Sequence, residues 1–119
     1  MMPVVTVDVV GIETVPTGWA GRLADAIGEV LGSAAGGSWV TVHPIPTESY
    51  AENRTTVAQP VMIRVLERVR PDPNEVEERA RAIVGAVSGI VGRPPENIHV
   101  IYEDSAVGRV AFGGRLVRE

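Results

Sequence analysis

Pro3-Val-Val-Thr-Val-Asp-Val9, near the start of the chain, returns as Pro60-Val-Met-Ile-Arg-Val-Leu66, an offset of 57 residues. A second pair of strand-like runs, Trp39-Val-Thr-Val-His43 and Ile98-His-Val-Ile-Tyr102, recurs at an offset of 59. Self-similarity at a nearly constant spacing marks a duplicated unit. Between the two runs of each half lies a segment with helical apolar spacing, so the order reads β-α-β, linker, β-α-β. The first helix is expected from about Gly18 to Leu31, with Trp19, Leu23, Ile27, Val30 and Leu31 on one face and Thr17 as N-cap. Gly21, Gly28 and Gly32 weaken it. In the second, Asp72 can cap, Pro73 suits the first helical position and Glu75 stands where a capping box wants a carboxylate. Val76, Ala80, Ile83, Val84, Val87 and Val91 form its stripe, and Gly92 ends it. Pro94-Pro95 then hold the chain out of helix before the last repeated strand. The Pro-, Ser-, Thr- and Asn-rich stretch 44–59 is expected to link the halves.

A β-α-β crossover makes its two strands parallel and right-handed. The expected fold class is therefore α/β: two tandem β-α-β units forming a four-stranded mixed sheet with two helices on one face. A single domain spans 1–119, with repeat halves at 3–53 and 60–117. Composition agrees, because 119 residues at 45% hydrophobic suffice for one core, and twenty-one valines against one Phe favour strands. The sheet face away from the helices is expected to be rich in Val and Ile and to be covered by other copies. Ala111-Phe-Gly-Gly-Arg-Leu-Val117 has the chemistry of a short C-terminal hairpin that could extend a neighbour's sheet edge.

Several classes of chemistry are excluded or disfavoured. With no cysteine there is no disulfide, zinc–thiolate site or thiol nucleophile, and two isolated histidines, His43 and His99, make no metal site expected. All eleven basic residues are Arg, which removes lysine Schiff-base and general-base mechanisms. A net charge of −4 and a pI near 5.2 disfavour a nucleic-acid partner. No apolar run approaches the roughly 20 residues of a membrane span, and the N-terminal residues lack the basic, apolar and small-residue order of a signal peptide, so a cytoplasmic protein without a membrane partner is expected. Gly32-Ser-Ala-Ala-Gly36-Gly37 lacks the Lys-Ser/Thr of a phosphate loop and follows a helix, and Asn53-Arg54-Thr55 is a glycosylation sequon without secretory context.

Four stretches together resemble the tautomerase superfamily: Met2-Pro3-Val-Val-Thr-Val7, its repeat at Pro60, Leu66-Glu-Arg-Val-Arg-Pro-Asp72 and Gly108-Arg-Val-Ala-Phe-Gly-Gly-Arg-Leu116. Chains of that superfamily are β-α-β units beginning at a proline, either short or fused in tandem at about this length. The second half resembles the malonate semialdehyde decarboxylase and cis-3-chloroacrylic acid dehalogenase branch, in which two arginines hold the substrate carboxylate; Arg68 and Arg70 match them. The end of the first half, Trp39 to Asn53, is similar to short 4-oxalocrotonate tautomerase chains, with Tyr50 where they place a pocket aromatic. Three positions depart. Glu13 stands in place of the arginine after the first strand, the second-strand arginine falls near Trp39 in one half and His99 in the other, and the decarboxylase's helper aspartate has no match around Gly32 to Ser38. The resemblance implies a homotrimer with the proline pockets near subunit contacts, and no cofactor or metal.

Pro3 centres the functional expectation. As a first residue it would carry a secondary amine able to act as base, acid or nucleophile; ordinary α-amino groups titrate at about 7.7 to 8.0, and burial beside an arginine lowers that value. Preceded by Met1-Met2, the same nitrogen is a tertiary amide with no lone pair to offer. Arg68 and Arg70, two apart on a presumed strand, would project to one face and clamp a carboxylate; the alternative is a solvated strand end paired with Glu67 near Arg64. Tyr50, Val110 and Phe112 could line an apolar pocket or simply pack, and His99 could face a substrate or be structural. Glu103-Asp104 reads as a turn cap. The expected activity is that of a cofactor-independent tautomerase acting on a small carboxylate-bearing enol, keto acid or unsaturated acid. Two alternatives stay open: decarboxylation or hydration in the same pocket, and a silent structural or ligand-binding trimer with Pro3 blocked.

Overall fold

The computed structural model describes residues 3–55 and 58–119. Six strands and two helices follow in the order β1 (Val4–Val10), α1 (Trp19–Val30), β2 (Trp39–Ile45), β3 (Val61–Leu66), α2 (Pro73–Val91), β4 (Ile98–Tyr102), β5 (Ala111–Phe112) and β6 (Arg115–Leu116). The main sheet is ordered β2-β1-β3-β4. Each half contributes one parallel pair, β1 with β2 and β3 with β4, and the two halves meet where β1 and β3 run antiparallel. The expected mixed four-stranded sheet, two helices and terminal hairpin are all present.

Alternation along the strands decides which face is buried. Val5, Val7 and Val9 of β1 and Val61, Ile63 and Val65 of β3 are fully buried, together with Leu23 and Ile27 of α1 and Ile83 and Val87 of α2. Both helices therefore cover one face, where they also touch each other. α2 is the better defined by its sequence. Asp72 accepts a hydrogen bond from the Glu75 amide at 3.0 Å, Pro73 opens the helix, and Gly92 closes it with φ +66°.

Three expectations need correction. Thr17 is not the cap of α1: Gly18 holds that position with φ +89° and no side-chain bond, and the Trp19 amide turns back to the Pro16 carbonyl at 3.2 Å. The linker starts later than 44, because Pro44 lies within β2 opposite Val9. β2 is an edge strand, so the missing N–H breaks no ladder on its outer side. The open face is not a Val/Ile surface either. Its central rows run His43-Asp8-Met62-His99 and Thr41-Thr6-Arg64-Ile101 across the four strands, polar residues outnumbering apolar ones.

The hairpin forms a separate two-stranded sheet. Gly113 and Gly114 both have positive φ, +58° and +85°, as a tight two-residue turn between right-twisted strands requires.

Candidate functional site

Pro3 is buried at the head of β1, with its carbonyl accepting the Trp39 amide at 3.0 Å. That bond ties the residue to the first residue of β2. Around it lies a cleft of about 530 Å³, walled by Leu31 to Ala34 and Gly37 after α1, and by Glu67, Arg68 and Val69 after β3. The helix ends and strand ends of both halves thus converge on the proline. Met1 and Met2, which decide whether its nitrogen is an amine, lie outside the described residues.

Arg68 and Arg70 do not project from one strand face. β3 ends at Leu66 because its register partner is Val4, the first residue of β1, and no ladder continues beyond it. The chain bends, and its backbone bonds pass to the loop 106–107: the Ala106 amide donates to the Glu67 carbonyl and the Val107 amide to that of Arg68. Arg68 lines the Pro3 cleft and donates from Nη2 to the Arg118 carbonyl. Arg70 lines a different cleft with Pro71, Asp72, Val76 and Tyr102, and its guanidinium lies 3.9 Å from Asp104.

The other candidates lie elsewhere in the chain. Tyr50 donates to Glu52 at 2.7 Å; that bond, then burial, then the carboxylate charge raise its pKa. Phe112 packs edge-on to Trp39, ring centres 5.4 Å apart. His99 is exposed on the open face beside Met62. Val110 lines a smaller cleft of about 280 Å³ on that face with Thr6, Arg64 and Arg109. None of these four lines the Pro3 cleft of its own chain. No group of three metal-ligating side chains occurs among the described residues.

A site residue missed from sequence is Glu67. Both its carboxylate oxygens accept from Arg79 Nη1, at 2.9 and 2.7 Å, so it pairs with α2 and not with Arg64. Against this pair sits Tyr102, whose Oη is buried without a hydrogen-bond partner among the described residues. Burial, reinforced by the Glu67 carboxylate and opposed by Arg79, pushes its pKa up to about 12. A raised folded-state pKa means stability is intact below the unfolded value near 10 and falls as pH rises through 12. Titration of the tyrosinate absorbance should therefore show Tyr102 ionising near pH 12, with unfolding becoming easier across that window. Ionisation of both tyrosines at pH 10 in the folded protein would refute the burial of this hydroxyl.

No family model and no curated protein matches the chain. Solved structures do. Pt0534, in a structure inactivated by 2-oxo-3-pentynoate, aligns with a TM-score of 0.77 at 16% identity over 96% of this chain and 94% of its own. A fused 4-OT forming a symmetric trimer aligns with a TM-score of 0.77 at 15% identity over 96% and 94%. The macrophage migration inhibitory factor homologue of Prochlorococcus marinus gives 0.73 at 13% identity over 96% and 98%. At such identities the likeness is one of fold. The chain folds as these tautomerase-type and macrophage migration inhibitory factor-type proteins do, along nearly its whole length.

Proposed function

We propose that the chain is a cofactor-independent enzyme of the tautomerase type, acting on a small carboxylate-bearing enol, keto acid or unsaturated acid with Pro3 as the proton-transferring group. The carrying observation is the position of Pro3, buried at the strand head and lining a cleft that also contains a guanidinium, that of Arg68. As a first residue, its secondary amine would be neutral near physiological pH, since burial and a nearby cation both disfavour the charged form. It would take the C3 proton of a 2-oxo acid, the C–H electron pair moving into the new C=C bond and the carbonyl pair onto oxygen. The proton then returns to oxygen or carbon. Arg68 would hold the acid and stabilise the charge that develops beside it. The inactivation of Pt0534 by an acetylenic 2-oxo acid makes 2-oxo acids the first ligands to try.

The fused 4-OT neighbours are trimers, symmetric or asymmetric, and we extend a homotrimer to this chain. Exposed Trp39, Val69 and Leu116 are apolar surface that such an assembly would cover. In it, Tyr50, His99 and Phe112 would reach substrate only in the cleft of a neighbouring copy. We place the enzyme in the cytoplasm; among the described residues no helix is long and apolar enough to cross a membrane. Decarboxylation or hydration in the same cleft would show as a changed product from a short semialdehyde or an acetylenic acid.

The test is a pair of substitutions. Arg68→Ala should raise KM about ten- to a hundredfold, the worth of one charged hydrogen-bonding partner, while Arg70→Ala should stay within about threefold. Equal effects, or none from Arg68→Ala, would remove Arg68 as the carboxylate anchor.

A further inference from the structure

Among the described residues, the Pro3 cleft carries one guanidinium and one carboxylate. Arg68 supplies the first. Glu67, next to it in sequence and on the same wall, supplies the second, with its side chain only 17% exposed. Arg79 fixes that carboxylate from α2 through both oxygens, and Arg79 itself does not line the cleft. The other nearby cation, Arg70, is turned towards Asp104 in a separate cleft. The remaining wall is short and uncharged: Leu31, Ser33, Ala34 and Val69. Ser33 is already engaged, its hydroxyl bonded to that of Ser38 at 2.6 Å.

A ligand anchored by its carboxylate on Arg68 therefore meets Glu67 if it extends along that wall, and meets Leu31 or Ala34 if it extends the other way. Among the described residues of one copy, neither direction offers a second guanidinium for a further negative charge. Like charges brought together in a half-buried site repel more strongly than in water, and an unpaired buried carboxylate also loses its hydration. Resting on the reading of this cleft as the substrate site, we infer that it selects monocarboxylates and rejects dicarboxylates, with Glu67 as the discriminating residue. An uncharged keto, enol or unsaturated arm fills the apolar side. The Arg79 pairing softens the repulsion without abolishing it, so the discrimination is about tenfold.

Two acids of matched length test this: 2-oxopentanoate and 2-oxopentanedioate, which differ by a methyl against a carboxylate. Their binding is measured by titration calorimetry, and their proton transfer by C3 exchange with deuterium in NMR, both on the protein whose first residue is Pro3. Unsubstituted protein should bind the monoacid about ten times more tightly. Glu67→Gln should bring the ratio towards one, and Arg79→Gln, which unmasks the carboxylate, should widen it. A pair with only a structural role would weaken both acids alike and leave the ratio unmoved, which overturns the assignment of Glu67. Equal or stronger binding of the diacid by the unsubstituted protein overturns the selectivity, and so does failure of both acids to bind. Selective binding without any C3 exchange would leave the selectivity standing and remove proline catalysis. Equal exchange on both acids would do the reverse.

Discussion

A chain whose first residue is Pro3 should exchange the C3 protons of 2-oxopentanoate about 10² to 10⁴ times faster than the same chain preceded by Met1-Met2, the range that a positioned general base contributes. The two proteins differ by a single chemical change at the reacting atom. In the longer chain the Pro3 nitrogen is bonded to three carbons as an amide, its lone pair delocalised into the Met2 carbonyl, and it can neither accept nor deliver a proton. In the shorter chain it is a secondary amine, on a buried residue that lines one cleft with Arg68. The exchange rate should fall as pH drops through the amine's pKa, because only the neutral form is a base. An intact mass of the protein made from its own start region says which form exists. Equal exchange by both forms would mean that another group carries the proton, and Glu67, the carboxylate in the same cleft, would be the first to substitute.

The architecture was legible because duplication and alternation are local signals. Pro3-Val-Val-Thr-Val-Asp-Val9 shows its own two faces: Val5, Val7 and Val9 go to the core, and Thr6 and Asp8 mark the outside. Following that period of two through Thr41, His43, Arg64 and His99 would have revealed a polar open face, where counting valines alone suggested an apolar one. α2 was readable to its ends since Asp72, Pro73 and Gly92 each act on adjacent backbone. The Gly18 entry of α1 was not, as it depends on a left-handed glycine bringing the Trp19 amide back to Pro16.

The site was legible only in part, for a different reason. Placing Pro3 at a strand head needs nothing beyond the strand pattern. Where Arg68 and Arg70 point depends on where β3 loses its partner, which the starting point of β1 sets some sixty residues earlier in the chain. Once the ladder stops, the alternation rule stops with it, and two arginines spaced for one face part company. Glu67 likewise needs Arg79, 12 residues on and nearly two turns into α2, before it becomes a fixed carboxylate. Neither fact is encoded within a window of sequence short enough to read.

Adjacent residues of β3 should differ sharply in what they contribute to stability. Ile63 is fully buried, registered between Val7 of β1 and Val100 of β4 and in the cluster with Leu23, Ile27, Ile83 and Val87. Arg64, one residue on, is exposed on the opposite face, with no ion pair or side-chain hydrogen bond among the described residues. Ile63→Ala removes three methyl or methylene groups from a site hemmed by two strands and two helices, where the neighbours can collapse only partly. The expected cost is about 2–5 kcal/mol of unfolding free energy. Arg64→Ala should change it by less than about 0.5 kcal/mol, as surface substitutions do. Urea unfolding of both variants at one fixed protein concentration makes the comparison, the fixed concentration keeping the concentration dependence of any assembly out of it. A cost at Arg64 equal to that at Ile63 would mean that the open face is packed as tightly as the helical one, placing Arg64 within a subunit contact. A cost at Ile63 below about 1 kcal/mol would contradict the sheet-to-helix core itself, since Ile63 is fully buried in the cluster that both helices join.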